Sequence, residues 1–112
     1  MNIKQRQVGN VTVLDVEGKI TIGIGDVAVR DAVQMALAGG SKQILLNLAG
    51  VSTIDSAGVG ELVSAYTTVT NRGGSLKLLN LPPKVNDILQ ITQLITVFEI
   101  HDDEAEAVDS FS

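Results

Sequence analysis

The sequence predicts an α/β domain on a mixed β-sheet, with an N-terminal β-hairpin and about four helices. Three observations carry this. Two strand-like runs flank Gly9-Asn10, a two-residue turn signal. Ile44-Leu45-Leu46-Asn47-Leu48 is a short, almost unbroken apolar run, as in a strand covered on both faces. Beyond the hairpin, short apolar runs alternate with stretches whose apolar residues recur at helical spacing.

In order, the hairpin strands are Ile3 to Val8 and Val11 to Glu17, with Leu14 and Val16 on one face, Val11 and Val13 on the other, and Gly18 ending the second strand. Lys19 to Gly25 reads as a loop. Asp26 is a candidate N-cap for a helix from about Val27 to Ala38, with Val29, Val33, Ala36 and Leu37 inward and Gly39-Gly40 as its stop. Strand Gln43 to Leu48 follows, then a loop to Asp55. Val59, Leu62, Val63, Tyr66, Val69 and Thr70 mark a helix that ends near Asn71 and is closed by Gly73-Gly74. Ser75 to Leu81 reads as a strand. Pro82-Pro83 suits a helix start, because proline in the first turn loses no needed N–H; Val85, Ile88 and Leu89 would face inward. Thr96 to Ile100 reads as a last strand. Asp102-Asp103-Glu104 opens a final short helix, where acids complement the dipole, with Ala105, Val108 and Phe111 docking it. No repeat, low-complexity tract or linker interrupts residues 1–112, which read as a single domain.

Composition excludes several functions. Hydrophobic residues are 45% but aromatics only 3%, so the core must be aliphatic. Lys and Arg total 8 against 13 Asp and Glu, a formal net charge of 8 − 13 = −5, with no basic run to meet phosphates, which argues against direct nucleic-acid binding. Without cysteine there is neither a disulfide framework nor thiolate chemistry. The N-terminus lacks the apolar run of a signal peptide, and no segment reaches the ~20 apolar residues that span a bilayer. The expectation is a soluble, cytoplasmic domain with no membrane partner.

Val51-Ser52-Thr53-Ile54-Asp55-Ser56-Ala57-Gly58-Val59-Gly60 is the most informative stretch. It puts Ser56 at the strand-to-helix junction, in or beside a first turn whose N–H groups lack intrahelical partners and whose dipole favours negative charge. A hydroxyl exposed there is well placed to gain or lose a phosphate. Asp55 or Ser56 can serve as the N-cap. Gly58 and Gly60, each costing ~1 kcal/mol relative to Ala within a helix, call for a close approach to the backbone, by a neighbouring strand or by a protein partner.

Other motifs carry less. Gly23-Ile24-Gly25-Asp26-Val27-Ala28 matches the letters of a dinucleotide fingerprint, but the next strand ends Leu46-Asn47-Leu48-Ala49 without the acid that would hold a ribose. A nucleophile elbow has glycine on both sides of its serine; Gly58 fits, Ile54 does not. His101 is the only histidine, so no nucleophile–base set and no metal-ligand spacing can be assembled. The sequence implies no enzyme, no cofactor and no metal.

Ile54-Asp55-Ser56-Ala57-Gly58-Val59-Gly60 resembles the D-S-[ST]-G-[LV]-G signature of the STAS domain in bacterial anti-sigma factor antagonists. The likeness runs through nearly the whole chain: the opening hairpin, Gly18 and Ile20-Thr21, the strand from Ile44 to Leu48, Gly73-Gly74-Ser75-Leu76-Lys77-Leu78, Leu89-Gln90-Ile91-Thr92-Gln93-Leu94 and Val97-Phe98-Glu99-Ile100. The resemblance implies a partner-switching protein of stress or sporulation signalling. Its serine, here Ser56, would be phosphorylated by an anti-sigma factor that is also a serine kinase and restored by a serine phosphatase; the unphosphorylated form would bind the anti-sigma factor and free a sigma factor. Ala57 departs from the commoner Ser or Thr and leaves Ser56 intact. The implied contact surface is Ser52, Thr53, Asp55, Ser56, Ala57, Gly58 and Glu61, with the last two on the exposed side of the first turn and loop Lys19 to Gly25 at its border. The alternative is a STAS-fold accessory or scaffold subunit of a sensory or lipid-transport assembly.

Overall fold

Five strands in the order β1-β2-β3-β4-β5 form one sheet, with β1 antiparallel to β2 and every other pair parallel. The computed structural model describes residues 1–112. The strands are β1 (Asn2–Val8), β2 (Val11–Ile20), β3 (Gln43–Ile54), β4 (Ser75–Leu79) and β5 (Ile100–His101). The helices are α1 (Gly25–Ala38), α2 (Ser56–Asn71), α3 (Pro83–Ile91) and α4 (Glu104–Asp109). The α/β class, the opening hairpin, the mixed sheet and the element order all agree with the sequence. No helix is long and apolar enough to cross a membrane.

Side-chain alternation divides the core as the hairpin pattern requires. Leu14 and Val16 join Leu46, Leu48, Leu76 and Leu78 on the face covered by α1, α2 and α3. The anticipated stripe of α1, Val29, Val33, Ala36 and Leu37, is buried there, with Val85 and Leu89 of α3. Fully burying one such aliphatic side chain contributes roughly 1.5–3 kcal/mol. Val11, Val13, Leu45 and Leu79 point to the opposite face, where Ala107 of α4 closes over them. Lys77 tethers that helix: its Nζ donates to the Ser110 carbonyl at 2.8 Å and hydroxyl at 2.9 Å, and pairs with Glu99 at 2.8 Å. On the same sheet a polar ladder crosses the strands, from Arg6 to Asp15 (2.7 Å), Asp15 to Asn47 (2.9 Å) and Asn47 to Asn80 (3.3 Å). Arg6 also pairs with Glu104 at the start of α4.

Several boundaries differ from expectation. β2 continues through Gly18 to Ile20, and β3 continues six residues beyond Leu48 to Ile54, because the two strands go on pairing: Gly18 opposes Val51, Lys19 opposes Thr53 and Ile20 opposes Ile54. The register shifts twice along this pair, between Asp15 and Glu17 and between Gly18 and Lys19. Helix α1 begins at Gly25, and Asp26 is not its N-cap. The Thr21 carbonyl takes that part, accepting from the N–H groups of Ile24, Gly25 and Asp26, and the Asp26 carboxylate turns back to Val27 N at 2.8 Å. Strand β4 stops at Leu79. The expected strand Thr96 to Ile100 shrinks to Ile100–His101, since Gln93 adopts a left-handed conformation and Leu94–Thr96 form a 3₁₀ turn. In α4, Asp103 caps the helix, so Ala107 faces the sheet and Ala105 faces out.

Candidate functional site

The signature occupies the corner where β3 turns into α2. Asp55 is the N-cap of α2, with extended backbone, and its Oδ1 accepts the Gly58 N–H at 2.9 Å. That settles which residue caps the helix. Ser56 is the first residue of α2 and is exposed, so its hydroxyl is free of the capping duty and faces solvent. The second Asp55 oxygen accepts from Ile22 N at 3.0 Å, 33 residues earlier in the β2–α1 loop. The Gly58 and Ile22 N–H groups hold the Asp55 carboxyl below its ordinary range, so it is ionised at neutral pH. Phosphorylated Ser56 would therefore place its charge beside an existing anion at a helix N-terminus.

The β2–α1 loop is only residues 21–24, since Lys19 and Ile20 belong to β2 and Gly25 to α1, and it meets the corner through Ile22. Thr21 O gathers three N–H groups, and Gly25 lies so close to β2 that a Cβ would overlap the Lys19 carbonyl. That packing explains Gly25 without a bound nucleotide. Ile22 and Ile24 project outward from this loop, 74% and 68% exposed. Sequence reasoning made the loop three residues too long and missed these two side chains, although two isoleucines within a glycine-rich loop were a visible signal.

Ser52 and Thr53 lie on β3 and not in a loop. Ser52 is exposed, with its hydroxyl 3.3 Å from the Gly18 carbonyl, and Thr53 is half-buried opposite Lys19. Ala57 is half-buried in the first turn. Gly58 and Glu61 do not lie on the exposed side. Gly58 packs against β2, where a Cβ would overlap the Ile20 carbonyl oxygen and lie 2.7 Å from Ile54 Cγ1. Glu61 turns inward toward α1; its side chain is 6% exposed and pairs with Arg30 Nε at 2.9 Å. Gly60, by contrast, faces open space. Of the two explanations for the glycines, close packing within the fold accounts for Gly58. His101 Nε2 lies 2.7 Å from Glu99 Oε2, so the one histidine is engaged with a carboxylate of its own strand region.

The sequence model of the STAS domain matches residues 2–107. The chain is 31% identical over 100 residues to the anti-sigma-B factor antagonist of Bacillus subtilis (strain 168), covering 89% of this chain and 90% of that protein. With the anti-sigma F factor antagonist of Paenibacillus polymyxa it shares 27% identity over 67 residues, 60% of this chain, and the match spans only 57% of the relative. The crystal structure of a Thermotoga maritima protein described as an anti-sigma factor antagonist superposes with a TM-score of 0.88 at 25% identity, covering 97% of this chain and 93% of that one. This chain belongs to the STAS-domain family, and within it resembles proteins named as anti-sigma factor antagonists.

Proposed function

We propose that the chain is an anti-sigma factor antagonist, a non-enzymatic binding protein switched by phosphorylation of Ser56. In this reading the unphosphorylated corner docks on an anti-sigma factor with serine kinase activity, which then releases its sigma factor. Phosphorylation by that kinase ends the contact, and a serine phosphatase restores it. The observation that carries the reading is the exposed Ser56 hydroxyl at the first position of α2, relieved of capping by Asp55. The names of the relatives support the general role.

The physics favours a switch of this kind. A phosphate adds about −1.5 to −2 charges at neutral pH. A helix N-terminus accommodates that charge, so the domain itself tolerates it. A partner lying over Asp55 and Ser56 must desolvate it next to a carboxylate that is already ionised. Each ~1.4 kcal/mol lost lowers affinity tenfold, so a few such units suffice for release.

The test is to incubate the chain with ATP and the serine-kinase anti-sigma factors of its own organism, each purified. One of them should bind, add a single phosphate to Ser56 and then release the product, and Ser56→Ala should abolish incorporation while still binding. Phosphopeptides mapping to Ser52, Thr53 or Ser64, or constitutive binding that ignores phosphorylation, would overturn the reading; the second result would favour a scaffold subunit.

A further inference from the structure

The exposed isoleucines of the β2–α1 loop have no role inside the fold. Ile22 and Ile24 are among the most exposed large apolar side chains of the chain, at 74% and 68%, and they stand two residues apart on a short loop. Exposed apolar side chains that sit together, unlike those scattered singly, mark contact surfaces. The loop is not a slack one. Thr21 O accepts three backbone N–H groups, Gly25 is wedged on Lys19 and Ile20, and Ile22 N is bonded to Asp55 Oδ2. Ile24 also forms one wall of a groove of about 350 Å³ that Ser52 helps to line.

That bond fixes who must cover the patch. Asp55, the residue next to Ser56, is bonded to Ile22 N, so a protein large enough to bring catalytic groups to the Ser56 hydroxyl reaches the two isoleucines as well. A stable interface buries ~800 Å² on each partner, and its centre is the apolar part. We propose that Ile22 and Ile24 form the apolar centre of the surface that the anti-sigma partner covers, and that Asp55 is the positioning residue keeping this loop in register with Ser56. The chain carries a net charge of −5 and the corner presents the Asp55 carboxylate, so the complementary face is an apolar pocket rimmed by basic side chains. This inference rests on the switch reading given above.

The experiment uses the full chain and the purified kinase that phosphorylates it. Affinity, incorporation into Ser56 and thermal melting are measured for wild type, for the double variant Ile22→Ser with Ile24→Ser, and for Asp55→Asn. The double variant should bind on the order of 100-fold more weakly, with KM for phosphorylation raised more than kcat is lowered and with unchanged melting. If it melts below wild type, the single variants Ile22→Ser and Ile24→Ser carry the same test, each expected to weaken binding about tenfold. Asp55→Asn keeps a good cap but has one acceptor oxygen in place of two, so the Ile22 amide should exchange faster and affinity should fall while melting changes little. Wild-type affinity in the isoleucine variants, with Ser56 still phosphorylated in wild type, overturns the inference and leaves the switch standing. Unchanged Ile22 exchange and affinity in Asp55→Asn removes the positioning role. A wild-type chain that no such kinase binds or phosphorylates overturns the switch and the inference together.

Discussion

The α-carbon of Gly58 lies against the carbonyl oxygen of Ile20, so close that no side chain fits between helix α2 and the end of strand β2. Gly58→Ala must push the helix start away from β2 or distort Ile54. It should cost about 1–3 kcal/mol or more, the range for overpacked sites. Gly60, two residues on, faces open space. Gly60→Ala should therefore stabilise the fold by about 0.5–1 kcal/mol, the difference between the two residues in a helix. Urea unfolding of both variants checks the pair, and equal effects would contradict this packing.

Phosphorylation of Ser56 should leave the domain in place. The hydroxyl is exposed at a helix N-terminus, where negative charge is already favoured. Amide exchange outside the corner and the loop bonded to it should match that of the unmodified protein. Widespread loss of protection would point to a global conformational switch. Ser56→Glu should reproduce part of the effect on affinity, because a carboxylate carries less charge than a phosphate.

The bonds to Asp55 make the corner acid-sensitive in a defined direction. Its folded pKa is depressed, chiefly by the Gly58 N–H and then by that of Ile22. A depressed carboxyl contributes stability that is fully present above the unfolded value of ~3.9 and is lost as pH falls through the folded value. The Gly58 and Ile22 amide resonances should stay constant from neutral pH down to about 4 and then shift together with one midpoint below it. A midpoint at or above the unfolded value would contradict the two hydrogen bonds.

A second carboxylate offers an internal comparison. Glu99 is lowered to about 2, first by its bond to Lys77 and next by that to His101. Lys77→Met should raise it toward the ordinary glutamate value of ~4.3 and loosen the end of α4, since the same ammonium holds Ser110. A carboxyl NMR titration reads the first effect, and exchange at residues 107–111 reads the second. An unchanged Glu99 titration would remove Lys77 as the principal cause.

Features set by local chemistry were legible in the sequence. The hairpin turn at Gly9-Asn10, the buried stripe of α1, the proline start of α3 and the candidacy of Asp55 as a cap all depend on residues a few positions apart. What depended on distant partners was not. Ala49-Gly50 looks like the end of a strand, yet β3 runs on because β2 lies beside it. Glu61 looks like a surface residue of a first turn until Arg30 of α1 is placed against it. Thr96 to Ile100 has strand-like residues, but only Ile100 and His101 reach Leu78 and Leu79. The bond from Asp55 to Ile22 spans 33 residues and has no local signal at all.

The two register shifts between β2 and β3 bear on which insertions and deletions this corner tolerates. From Asp15–Asn47 to Ile20–Ile54, six residues of β2 run beside eight of β3. Each shift takes up one extra residue of β3 as a bulge, so the paired residues keep their faces: Val51, opposite Gly18, still lies in the core with Leu46 and Leu48. Ile20 and Ile54 therefore stay on the buried face shared by Leu14 and Leu46, and Asp55 arrives within reach of Ile22. Deleting the extra residue of one bulge would straighten β3 there and leave Ile54 opposite Ile20 on the buried face, whereas deleting a paired residue would disturb the register up to the junction. Length variation at this end of the sheet should thus be confined to the two bulges, one residue at each.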